Sequence, residues 1–164
     1  MNLLIAGRHG IRLYQELRRS ETAWQALRFY DPIEISVGIY IRINSLSSAL
    51  SLASDLRYFI RRYSSVYLFE VSPGICCTHA MAKMRYISRE KPFSNPWPWK
   101  LWIWIGGDGD IMRFYCHPLN DESFTPENFY GGYIFEVWCL KEEYSGDIYP
   151  IQGNLPDNLK KTPD

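Results

Sequence analysis

GIYIRINSLSSALSLASDLRYFIRRYSSVYLFEVSPG, residues 38–74, spells strand, helix and strand in one pass, and this stretch decides the fold. Its opening belongs to a longer alternating run, Ile33–Ile43, rich in β-branched residues, which reads as a strand. Behind a cap at Asn44 or Ser45, Leu46, Ala49, Leu50, Ala53, Leu56 and Ile60 recur at helical spacing. Arg57, Arg61 and Arg62 fall in the later turns, where cations suit the helix dipole. Ser65–Pro73 alternates again and is closed by Pro73-Gly74.

The flanks follow the same reasoning. Upstream, residues 2–6 read as a short strand, and Ile11–Gln15 suits either a strand or a helix start. Ser20 is positioned to cap a helix over 21–29 that carries Ala23, Trp24 and Leu27 on one face, with Pro32 ending it. Downstream, residues 75–98 look irregular. Trp99–Ile105 and Ile111–Cys116 then form a hairpin around GGDGD, and Gly132–Leu140 is a further alternating strand. The expected fold is a compact α+β domain over 1–145, with mixed or antiparallel sheets and two or three helices. Residues 146–164, rich in Pro, Asn and Asp, are expected to be a loose tail.

With 164 residues and 46% hydrophobic residues, the chain can bury a substantial core. The formal net charge is zero, against the basic surplus of a nucleic-acid binder. The balance is uneven, because residues 1–62 carry four more Lys and Arg than Asp and Glu. No apolar run approaches the roughly 18 residues of a membrane span. No basic stretch followed by a long apolar one reads as a signal peptide, which leaves a cytosolic chain, a mature form, or secretion or delivery into another cell by a route without such a signal. The four cysteines are too few and too irregular for a disulfide framework.

Several clusters carry potential chemistry. Arg8-His9-Gly10, at the end of the first strand, resembles the signature of the histidine phosphatases, in which the His accepts phosphate and the Arg clamps it. That chemistry needs a second His and a second Arg. Neither His79 nor His117 has the required setting, and Gly7 and Gly10 around two polar residues favour a turn. Cys76, Cys77 and His79 with Cys116 and His117 could offer zinc ligands, but adjacent residues on a strand point to opposite faces, so no metal is expected. Asp108 and Asp110 in GGDGD lack the other ligands of a calcium loop. Trp102 and Trp104 share one face of their strand, which reads either as a second packed layer or, with the indoles exposed, as a partner-binding surface.

Three stretches, in order, resemble the cholera- and pertussis-type ADP-ribosyltransferase toxins. RLYQELRRSETAWQAL is similar to their opening strand and Ser-capped helix. Residues 38–74 are similar to their strand, Ser-rich helix start, amphipathic helix and following strand. FTPENFYGGYIFEV is similar to their Pro-Pro-Glu-Asn segment leading into a late strand. The resemblance implies NAD as cofactor, an Arg on the first strand holding its phosphates, a Ser-Thr-Ser strand ordering the site, and a Glu stabilising the oxocarbenium-like sugar. Carried over, Gln15 takes the Arg position, with Arg8, Arg12 or Arg42 as substitutes. Ile41-Arg42-Ile43 takes the Ser-Thr-Ser position, with Ser45 the nearest hydroxyl. Asp121 and Glu122 are the nearest carboxylates. The resemblance thus implies an effector- or toxin-like protein acting on a target protein, with a degenerate catalytic motif. A non-enzymatic effector or immunity domain binding its partner through the Trp-rich hairpin is the alternative, and histidine-phosphatase chemistry at His9 the third.

Overall fold

The computed structural model describes residues 1–89, 97–107, 111–115, 132–144 and 149–152. They form an α+β domain built on one mixed sheet. The strands are β1 (Asn2–Gly7), β2 (Ile33–Ile35), β3 (Gly38–Arg42), β4 (Ser64–Ser72), β5 (Ile75–Cys77), β6 (Lys100–Gly106), β7 (Ile111–Tyr115), β8 (Gly132–Trp138) and β9 (Tyr149–Gln152). Their order in the sheet is β2-β3-β1-β4-β5-β8-β6-β7-β9, antiparallel throughout except for the parallel pair β5–β8. The helices are α1 (Leu13–Arg19), α2 (Glu21–Leu27), α3 (Leu46–Asp55), α4 (Arg57–Tyr63) and α5 (His79–Ser88).

The sheet has a core on each face. β1 is apolar on both sides because both are covered. Leu3 and Ile5 join Ile41, Phe69 and the buried faces of the helices in one core. Leu4 and Ala6 join Leu68, Leu101, Ile103 and Val137 in the other. The second core is made by strands from both ends of the sheet, so the sheet folds over on itself. Its first wing, β2-β3-β1-β4-β5, faces its second, β8-β6-β7-β9. A hydrogen bond from Ser36 Oγ to Tyr133 Oη, 3.4 Å long, links the two wings directly.

The structure departs from the sequence expectations in identifiable ways. Ile33–Ile43 is a hairpin rather than one strand, turning at Ser36-Val37 so that β3 lies beside β1. Gly38 permits that approach, since a Cβ there would collide with the carbonyl oxygen of Ile5. Leu13–Arg19, which includes Gln15, is a helix and not an opening strand, because Leu13 and Leu17 at i and i+4 are its buried residues. The long helix behind Ser45 breaks at Leu56, giving α3 and α4. Residues 75–88, read as irregular, contain β5 and α5. Five helices therefore replace the expected two or three. Within the expected tail, Tyr149–Gln152 pairs with β7. The β6–β7 hairpin and the α+β character agree with the sequence reading.

A polar cluster ties the adjacent strands β3, β1 and β4 together. The Glu70 carboxylate accepts hydrogen bonds from Asn2 Nδ2 at 2.6 Å, from the backbone N–H of Gly74 at 3.1 Å and from Tyr40 Oη. Burial works to raise the Glu70 pKa, but these donors outweigh it and hold the carboxyl below its ordinary 4.5. Tyr40, half-buried and facing that anion, is pushed up to about 12.

Two outcomes follow for stability. Glu70 stabilises the fold above its unfolded pKa, and that contribution is lost as pH falls through its lower folded value. Glu70→Gln is expected to flatten the acid side of the stability–pH curve, measured by urea denaturation between neutral pH and about pH 3. Parallel curves for the two proteins would refute the assignment. Gly38→Ala is expected to cost at least about 2 kcal/mol and lower the Tm by at least about 5 °C. An unchanged Tm would show that β1 and β3 do not approach as described.

Candidate functional site

The most developed concavity lies between α3–α4 and α5. Thr78 starts α5, accepting a hydrogen bond from the Met81 backbone N–H at 3.3 Å. Its hydroxyl donates to Glu143 at 2.7 Å, and the same carboxylate accepts from the Leu140 backbone N–H at 2.8 Å. The start of α5 is thereby fixed to the 3-10 turn Lys141–Glu143 that follows β8. Met81 and Ala82 enter the core. That rotation sends His79, Lys83, Tyr86 and Ile87 along a second stripe, one and two turns apart.

Opposite them, Leu50, Ser51 and Ser54 on α3 continue into Arg57 and Arg61 on α4. The cap at Ser45 sets the start of that stripe, with its Oγ accepting from the Ser48 N–H at 3.1 Å. The two stripes enclose a groove of about 750 Å3, floored by Ala53, Ile60 and Tyr67. None of its lining residues is acidic among the described residues. Among the described residues, Arg57, Arg61 and Lys83 have no carboxylate partner. Tyr86 is 54% exposed and Ile87 is 67% exposed.

His79 stands at one end of the groove. Its ring meets Tyr67 and Phe69 edge-on at 5.7 Å, and its Nδ1 is buried with no hydrogen-bond partner among the described groups. Burial, then Lys83, lower its pKa, so the imidazole is neutral at pH 7. The groove's positive charge therefore rests on Arg57, Arg61 and Lys83. Beyond His79 a further cavity of about 540 Å3 runs between β4 and β6, with Glu143 on its wall.

The residues singled out in the sequence are placed differently. Arg8 follows β1 and donates from Nε to the Ser64 carbonyl at 3.1 Å and from Nη2 to the Arg61 carbonyl at 2.9 Å. It thus closes the C-terminal end of α4. His9 lies in a turn closed by the Ile11 N–H on the Arg8 carbonyl, with Gly10 at φ +74°. Arg12 pairs with Glu34 at 3.0 Å, an exposed bridge worth less than about 1 kcal/mol. Arg8, His9 and Arg12 line one small cavity with Gly107, and no second histidine lines it among the described residues. Gln15 is on the solvent side of α1, Arg42 is exposed at the end of β3, and Ser45 caps α3. These three do not join Arg8 and Arg12 in that cavity.

Asp121 and Glu122 lie outside the described residues, as do Cys116, His117, Asp108 and Asp110. Cys76 and Cys77 point into opposite cores, with Cys76 in the second and Cys77 in the first. Burial pushes the Cys77 thiol up to about 12. Among the described residues no group of three His, Cys, Asp or Glu side chains could hold a metal. Trp102 and Trp104 share a face as expected, away from Leu101, Ile103 and Ile105, and both are half-buried. The Trp104 indole packs against Gly132, where a Cβ would crowd it.

The groove itself escaped the sequence reading because α5 did. Thr78 followed by HAMAKMRYI carries a capping residue and good helix formers, which was the available signal. No protein-family model matches the chain, and neither a curated protein nor a solved structure matches it.

Thr78 holds one wall of the groove in place. Thr78→Ala is expected to destabilise the protein by about 1–2 kcal/mol in chemical denaturation, and Thr78→Ser by much less. Hydrogen exchange should quicken most in α5. Equal losses in the two variants would remove the hydroxyl from the explanation.

Proposed function

We propose that this protein is a non-catalytic binding domain of the effector or immunity type, acting through a protein partner. The resemblance to ADP-ribosyltransferases asks for an arginine on the first strand and hydroxyls on the strand before the central helix. The observation that carries the proposal is what stands there instead. β1 reads NLLIAG and contains no arginine, and β3 leads through Ile41 and Ile43, both buried in the helix-side core. A buried isoleucine cannot hydrogen-bond a nucleotide, and restoring a serine there would leave a hydroxyl in an apolar core.

The nearest arginine, Arg8, is already donating to two backbone carbonyls. Gln15 offers a neutral amide from the outer side of a helix, which does not replace a bidentate guanidinium. By contrast, the groove between α3–α4 and α5 presents cations with no carboxylate partner among the described residues and exposed apolar side chains, the materials of a recognition surface. In the proposed role the α+β domain serves as the scaffold that holds this groove. Neither NAD nor a metal is needed for it.

The test is nicotinamide release from NAD by the full chain, alone and with added protein acceptors. No release above buffer is expected, and Glu122→Gln and Asp121→Asn should leave the trace unchanged. Turnover that disappears in Glu122→Gln would establish the transferase reading in its place.

A further inference from the structure

We infer that the groove between α3–α4 and α5 is a docking site for an acidic amphipathic helix of a partner protein. The inference rests on the binding-domain reading and adds the site and the chemistry of the partner. Two helical stripes face each other across the groove, one running from Leu50 through Ser54 to Arg57 and Arg61, the other from His79 through Lys83 to Ile87. Such a trough is the shape that accepts a third helix laid along it.

Its chemistry is divided by position. The floor of Ala53, Ile60 and Tyr67, with Leu50 beside it, suits an apolar stripe on the incoming helix. The rims carry Arg57 and Arg61 on one side and Lys83 on the other, with no acidic residue among the described lining residues. Carboxylates flanking an apolar stripe at i and i+4 spacing meet both requirements. The Glu143 carboxylate lies in the adjoining cavity, held by the Thr78 hydroxyl and the Leu140 N–H, and does not line the groove. Tyr86 and Ile87, exposed beside Lys83, supply the aromatic and aliphatic contacts that anchor a helix once charge has oriented it.

Other anionic partners fit less well. A nucleic-acid interface is denser in cations, and this chain has zero net charge with large apolar side chains exposed within the groove. A single phosphate would occupy only a fraction of a trough that extends over parts of three helices. An acidic helix uses its whole length.

The probe is a helix-forming peptide of about 14 residues with a leucine stripe flanked by glutamates. Its counterpart carries lysine at every glutamate, and a single-stranded oligonucleotide serves as the competing class. Binding to the full-length protein is followed by fluorescence anisotropy and by amide chemical shifts. The expected result is saturable binding of the glutamate peptide alone, with shifts concentrated at Leu50, Arg57, Arg61, Lys83 and Ile87. Arg57→Glu with Lys83→Glu should weaken it by at least about tenfold, and Ile87→Asp by a similar factor, with the Tm unchanged because all three residues are exposed.

Absence of binding, equal binding of the lysine peptide, or tighter binding of the oligonucleotide would overturn the inference. Shifts confined to the Trp102–Trp104 face, without NAD turnover, would remove this site while leaving the binding-domain reading intact. NAD turnover that depends on Glu122 would remove that reading whatever the peptide does.

Discussion

Three residues, Ile75–Cys77, hold the two wings of the sheet together. β5 pairs antiparallel with β4 on one side and parallel with β8 on the other, and it is the only junction between the wings in the strand order of the described residues. Its centre lies between two cores, so neither face can carry a polar group without a partner. Cys76 and Cys77 meet that constraint. Both are fully buried, and each is a small apolar group directed into a different core. Burial raises both thiols, Cys77 to about 12, which keeps them neutral and suited to packing. The adjacent cysteines that suggested metal chemistry are explained by this geometry.

The rest of the architecture follows from folding the sheet at that junction. The concave side makes the second core from strands and residues adjoining them, while the opposite side of the first wing takes the five helices of the described residues. α3, α4 and α5 are brought together there because they flank β4 and β5 in sequence and must cover the same face. The groove is what remains where α3–α4 and α5 diverge above Tyr67.

Legibility in the sequence tracked periodicity and failed where contacts were distant. β3, α3, β4 and the β6–β7 hairpin were readable because alternation or helical spacing ran through each of them. The turn at Ser36-Val37 was hidden inside an unbroken β-branched run, since its cause is Gly38 against Ile5, a neighbour on another strand. The break at Leu56 left the apolar spacing intact, so nothing local announced it. β5 was too short to show a period, and α5 was lost with it. The site suffered most, because its two walls come from residues near 50–61 and 79–87 and only the folded sheet sets them opposite each other. Arg8 and Arg12 looked like phosphate ligands because sequence does not show which carbonyls and carboxylates already hold them.

The parallel junction also imposes an order of assembly. Residues 1–89 contain the entire first wing and all five helices, and each strand of that wing pairs with another already present. The far edge of β5 has no partner until Gly132–Trp138 has left the ribosome and closed a loop of more than half a hundred residues. During that interval a nascent chain carries an open strand edge beside an uncovered apolar face, the template on which chains misassociate. The brevity of β5 is its protection, since three residues offer a stray strand very little to pair with.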